Sequence, residues 1–199
     1  MNESKINTLL SEEFHFTSFQ IKLLRYRFLT ILSESSKILL MGIFFFCLGY
    51  FKEYLFATAV LILLRTCTGG IHLKHYMTCF FMSFTFLYAA VCILPLIPVI
   101  KLLQMCLLLL CFAGNVYAAP VVSCYRPTPD GIRIRKSKIQ ATVIICIYTI
   151  LLYVIPENPL MTAGFWIIIL QSIQLVATKL MQRREKNEIQ SKEVDVYGV

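Results

Sequence analysis

The chain has 199 residues, 58% hydrophobic and only 15% charged, with a formal net charge of +8. So little charge in so long a sequence excludes an ordinary soluble domain and leaves the multi-span membrane class. Residues 1–35 carry acidic and basic residues throughout. They lack an apolar core followed by a small-residue cleavage site, so no cleavable signal is expected.

Residues 1–35 read as an arm of two amphipathic interfacial helices. Ile6, Leu9, Leu10 and Phe14 mark the apolar stripe of the first. Thr17 and Gln20 have the spacing of a capping box for the second. In that helix Ile21, Leu24, Phe28, Ile31 and Leu32 lie on one side, with Lys22 and Arg25 on the other. A basic amphipathic helix beside a span lies on the membrane surface, as a topology anchor or as a dock for a membrane-bound peptide.

Residues 36–181 hold six apolar stretches, Ile38–Phe51, Tyr54–Leu64, Tyr76–Leu94, Leu102–Ala119, Ile139–Ile155 and Leu160–Thr178. The last four approach the ~20 residues that cross a ~30 Å hydrocarbon core. At such lengths only helices satisfy their own backbone in lipid. The expected fold is therefore all-α, a polytopic membrane helix bundle preceded by interfacial helices. The second stretch is short, and to cross fully it must run on to about Gly69 or Gly70, which places Arg65 within the bilayer. Pro95 with Pro98, and Pro156 with Pro159, punctuate two connections, and a turn is expected at Pro129-Asp130-Gly131. Residues 182–199 form a charged tail expected to fray.

Of the 19 lysines and arginines, all but Lys52 and Lys101 fall in the arm, in two of the connections or in the tail, on one side of the membrane. The positive-inside rule puts both termini and the second connection in the cytoplasm. The eight cysteines sit within apolar spans or on that reducing face, and no C-x-x-C pair occurs. Neither disulfides nor a zinc site are indicated. No cofactor or metal is expected, and no nucleic-acid partner.

The second connection carries the chemistry. Arg65, Gly70, His72, Lys74, His75 and Cys79 crowd the foot of the third stretch, where a charged residue costs at least ~2.5–3.5 kcal/mol inside hydrocarbon. A thiol beside an imidazole is the minimum equipment for nucleophilic attack on an amide. On one continuous helix His72 and Cys79 stand ~10.5 Å apart along the axis. His72 therefore serves Cys79 only if the chain folds back, for which Gly69-Gly70 supplies the freedom. His75 reaches Cys79 from the adjacent turn without folding back. Cys67 is a rival nucleophile, and Arg65 and Lys74 favour the thiolate of any cysteine nearby.

The pattern Arg65-x6-His72-x6-Cys79, with Gly-Gly-Ile-His inside it, resembles the AgrB family, the bacterial membrane cysteine endopeptidases of accessory gene regulator quorum sensing. Length, amphipathic arm, six apolar stretches and a basic cytoplasmic loop extend the resemblance over nearly the whole chain. It implies Cys79 as nucleophile and His72 as general base, with Arg65 and Gly70 required for processing. The stretch containing Arg133, Arg135, Lys136 and Lys138 matches the family's basic loop. The implied partner is an AgrD-like precursor peptide with an amphipathic leader, a central cysteine-bearing segment and an acidic tail. Cleavage of the tail leaves an acyl-enzyme thioester, which the precursor's own thiol or hydroxyl displaces to close a thiolactone or lactone. The location implied is the bacterial cytoplasmic membrane, where so small a bundle also has the option of forming a homodimer.

Two rival readings differ in class. A small peptide permease or exporter without protease activity would need a relay, yet no Asp or Glu lies inside the six stretches, and there is no phosphate-binding loop. A non-enzymatic assembly factor leaves Arg65, His72 and Cys79 without a purpose.

Overall fold

A computed structural model describes residues 17–69, 76–119, 131–156 and 158–197. Those residues form six α-helices and no strand: α1 Ser18–Cys47, α2 Phe51–Thr68, α3 Tyr76–Tyr88, α4 Lys101–Ala118, α5 Gly131–Val154 and α6 Pro159–Tyr197. The chain is a polytopic all-α bundle. It divides into two compact units, Met1–Phe44 and Phe45–Val199. The first expected interfacial helix and the turn at Pro129-Asp130 lie outside the described residues.

In the first unit, α1 opens with the expected capping box. The Thr17 backbone N–H donates to Gln20 Oε1 at 2.9 Å, and the Gln20 N–H donates to Thr17 Oγ1 at 3.3 Å. The helix then continues without a break through residues 35 and 36, where the arm was expected to end. Its last 20 residues, Phe28–Cys47, are apolar enough to cross a membrane. That stretch contains Glu34 and Lys37, so the expectation that no acidic residue enters a span is corrected. The pair neutralises itself in place: Lys37 Nζ lies 2.7 Å from Glu34 Oε1, and Lys37 is buried.

Within the second unit Gly49, at φ 81°, closes the end of α1. The Tyr50 N–H donates to Phe45 O and the Gly49 N–H to Phe46 O, the paired bonds of a helix terminus that needs a left-handed residue. In α2 the buried positions Tyr54, Ala57, Thr58, Leu61, Leu64 and Thr68 recur every three to four residues, one stripe of a 3.6-residue helix. α4 buries Leu108, Cys111, Asn115 and Ala118 in the same rhythm, and α5 buries Ala141, Ile145 and Tyr148. These are seams of helices with one face on protein and large apolar residues, such as Leu109, Leu110 and Ile150, exposed on the other.

α6 differs. Of its most apolar stretch 61% is buried, against 17–28% for the other four spans. It is the hub, packing against α2, α3, α4 and the irregular segment 89–96 that follows α3. A helix buried nearly all round needs small residues at its closest crossings, and Gly164 is one. A Cβ there would lie 2.7 Å from Tyr148 Oη of α5 and 2.8 Å from Phe56 Cε1 of α2. Tyr148 has little room to move, because its hydroxyl donates to the Met161 carbonyl. Gly164→Ala should therefore lower the stability of the detergent-solubilised protein by about 1–3 kcal/mol, the usual cost of overpacking, read as a lower melting temperature.

Five stretches qualify as spans: Phe28–Cys47, Tyr76–Leu96, Lys101–Ala118, Ile134–Val154 and Pro159–Arg184. α2 carries Lys52, Glu53 and Arg65 in its 18 residues and is not among them. The span Tyr76–Leu96 ends irregularly, as the Pro95-Pro98 pair leads one to expect. A wide π-type turn at Ala89–Ile93 passes into a tight 3-10 turn at Leu94–Leu96. Pro95 has no N–H and its ring clashes with the carbonyl four residues back, which accounts for the widening.

Two expectations for polar segments are corrected. Arg133, Arg135, Lys136 and Lys138 stand not on a loop but in the first turns of α5. The stretch after Gln182, expected to fray, continues α6 to Tyr197.

Candidate active site

The site is built at the junction of α2 and α3. α2 runs to Thr68, close to the end expected at Gly69 or Gly70, and Gly69 ends it with φ 78°, its N–H donating to Arg65 O at 3.0 Å. Only glycine takes that backbone region without strain, so the second half of Arg65-Thr-Cys-Thr-Gly-Gly dictates the end of the helix. Thr68 is fully buried, and its hydroxyl reaches both Leu64 O, at 2.9 Å, and Gly69 O, at 3.2 Å.

Arg65 is half-buried one turn before the end and points toward α6. Its Nε donates to Gln171 Oε1 and its Nη2 to Gln174 Oε1, both at 3.5 Å. Gln171 Nε2 in turn donates to Gly69 O at 3.4 Å. Beside it, Ser172 Oγ accepts from Asn115 Nδ2 of α4 at 2.7 Å, and the same amide nitrogen donates to Cys111 O. A polar layer thus crosses the bundle from α2 through α6 to α4. Gln171, Ser172, Gln174 and Asn115 were not anticipated from sequence. Uncharged polar residues interrupting the last apolar stretch were the available signal, since such groups in a span seek partners on other helices.

Cys79 lies in the first turn of α3 and is buried. Ser83, Leu87 and Val91 continue its line at four-residue steps, all buried, so the thiol faces the bundle interior. Tyr76, Phe80, Phe84 and Tyr88 form the adjacent line, their rings stacked in succession 6.5, 6.2 and 5.9 Å apart. Cys67 faces elsewhere. Residues two apart on a helix point in nearly opposite directions, and Cys67 Sγ lies 3.9 Å from Gln140 Oε1 of α5.

Gly70, His72, Lys74 and His75 lie outside the described residues, so the structure places Arg65 and Cys79 of the motif but not their histidine partner. Arg135 and Lys136 are exposed and Lys138 half-buried. Arg133 shares their helix, with its side chain outside the description. α5 has no acidic residue in its first turn. Cations there oppose the helix dipole, so these residues are not present to stabilise the helix.

A bundle of apolar helices, five of them long enough to cross a membrane, is a polytopic membrane protein, and Arg65, Gln171 and Gln174 form a polar cluster within it. A sequence profile of AgrB, accessory gene regulator B, matches residues 4–175, and the chain belongs to that family. It is accordingly a membrane protein of accessory gene regulator quorum sensing, acting in the processing of an AgrD precursor peptide. No match is found among curated proteins or solved structures.

Proposed function

We propose that the protein is a cysteine endopeptidase that removes the C-terminal tail of an AgrD-type precursor and hands the remainder to ring closure. The observation that carries this reading is the buried, inward-facing thiol of Cys79 in the first turn of α3. His72 takes the proton of Cys79, and Sγ attacks the carbonyl of the scissile amide. The tetrahedral oxyanion collapses, the C–N bond breaks, and His72 returns the proton to the departing amine of the tail. The precursor's own thiol, or its hydroxyl, then attacks the thioester carbonyl and releases Cys79.

The oxyanion has two sources of stabilisation. The first N–H groups of a helix have no intrahelical acceptor, which makes the Thr78 amide a donor at the start of α3. The guanidinium of Arg65 is the other. Burial serves the second step, since limiting water protects a thioester from hydrolysis and a tethered thiol needs only proximity to displace it. Glu34 gives the permease reading a carboxylate within a span, but Lys37 already compensates it on the same helix. The orientation is that of the positive-inside rule, with the site and both termini in the cytoplasm.

The direct test is the intermediate. Incubation with an AgrD-type precursor whose ring-closing residue is alanine should leave the leader and signal segment attached to Cys79. Neutral hydroxylamine should release it, as expected of a thioester. Tail release with the adduct on another residue, or with no adduct under fast quenching, would overturn the assignment.

Arg133, Arg135, Lys136 and Lys138 bind the acidic tail rather than take part in the chemistry. Reversing two of the described charges, as in R135E/K136E, should weaken precursor binding about threefold to thirtyfold, as exposed charges do. High salt should imitate the loss in the unaltered protein, because the Debye length falls from ~10 Å at 0.1 M to ~3 Å at 1 M. Lysines in the precursor tail should rescue the reversed protein. Normal topology and cleavage kinetics at every salt concentration would leave these residues as orientation signals alone.

A further inference from the structure

We infer that Gln171 and Gln174 of α6 are positioning residues for precursor cleavage, holding Arg65 and the end of α2 in register with the reacting groups. This rests on the cysteine-endopeptidase reading above. Gln171 is 1% exposed and its one amide does two things: Oε1 accepts from Arg65 Nε, and Nε2 donates to Gly69 O. It thus ties together two points four residues apart on α2, the guanidinium and the last carbonyl before the segment that bears Gly70 and His72. Gln174, less than one turn further along, accepts from Nη2 on the same edge of that guanidinium.

Three features separate this arrangement from ordinary packing. Leucine would fill the space without the cost of burying an amide, yet two glutamines converge on one cation. Their oxygens accept from two different nitrogens of the guanidinium and so fix its orientation. The third feature is the brace behind them, where Asn115 holds Ser172 from α4 at 2.7 Å and limits rotation of α6 about its axis. The bonds to Arg65 and Gly69, at 3.4–3.5 Å, are at the long end of the range. Catalytic contacts commonly tighten only when substrate is bound.

The full chain, reconstituted in lipid vesicles, is assayed with an AgrD-type precursor carrying an amphipathic leader, a central cysteine and an acidic tail. Gln171→Leu should lower kcat about tenfold to a hundredfold, the range for a lost bond to a charged group. KM should change less than about threefold, and the melting temperature should not fall. Gln174→Leu should show a smaller loss of kcat. Gln174→Glu keeps an acceptor for Arg65 and should retain at least about fivefold more activity than Gln174→Leu. In an Arg65→Lys background, Gln174→Leu should cost little more, because residues that act through one partner are not additive.

Wild-type kcat in both leucine variants overturns the inference. So does a loss of kcat that tracks a loss of melting temperature, or equal activity of the Gln174→Leu and Gln174→Glu variants. If Cys79→Ala still cleaves, the endopeptidase reading fails whatever the glutamines do. If Cys79→Ala is dead while the leucine variants cleave normally, only the present inference fails.

Discussion

Cys79→Ala and Cys79→Ser should both abolish precursor cleavage while leaving the protein inserted and folded. The alanine variant removes the only atom that forms the acyl-enzyme. Loss of a nucleophile that acts as one unit with its base costs on the order of 10⁴-fold to 10⁶-fold. Serine keeps a nucleophilic oxygen, but a hydroxyl is a far weaker acid than a thiol, and an imidazole placed for sulfur does not ionise it. Folding should survive both changes. Cys79 sits on a line with Ser83, a buried hydroxyl the bundle already tolerates, and removing one sulfur from a buried site costs about 1 kcal/mol, the ordinary range for a point substitution. Quantifying tail release against the amount of protein in the membrane separates lost chemistry from lost protein. Mature product from the alanine variant would remove Cys79 from the mechanism. Cys67→Ala would then be the next variant, although Cys67 lies against Gln140 of α5, on the side of α2 away from Arg65.

The elements legible in the sequence were those governed by local rules. Thr17 and Gln20 announced the start of α1, because a capping box needs only residues three apart. The end of α2 at Thr68 lies where Gly69-Gly70 marked it, because a left-handed residue stops a helix wherever it stands. Pro95 marked the irregular end of the span Tyr76–Leu96 because a missing N–H has the same consequence in any helix.

What stayed hidden depends on contacts between distant segments or on burial overriding local signals. Arg65 and Gln171 are 106 residues apart, and no periodicity within either helix reveals that they meet. Glu34 was assigned outside the first span because the apolar run was taken to begin at Ile38. In the fold, an ion pair one turn long lets the span begin at Phe28. The cluster Arg133–Lys138 read as a loop because four cations are a poor start for a helix, yet α5 begins at Gly131 and carries them. That conflict between local preference and fold is the kind expected where a segment serves a partner.

His72→Ala should lose several orders of magnitude in cleavage rate, about 10³-fold or more, whereas His75→Ala should lose less than about tenfold. Simple helical geometry argues the other way, since His75 precedes Cys79 by four residues and would stand one turn from it. The end of α2 tips the balance. Gly69, at φ 78°, stops that helix four residues after Arg65, at the point where a fold-back bringing His72 to Cys79 has to start. Gln171 holds the Gly69 carbonyl from α6, giving the segment that follows a fixed point of departure. With α3 described from Tyr76, seven residues link the two helices, and His72 is the fourth of them. A general base must come within about 2.6–3.2 Å of its proton when substrate is bound. Cleavage rates of the two alanine variants, measured at equal membrane abundance, decide between the histidines. A dead His75→Ala beside an active His72→Ala would mean that the helix of Cys79 supplies its own base from the preceding turn. Gly69 and Gly70 would then serve only to end α2.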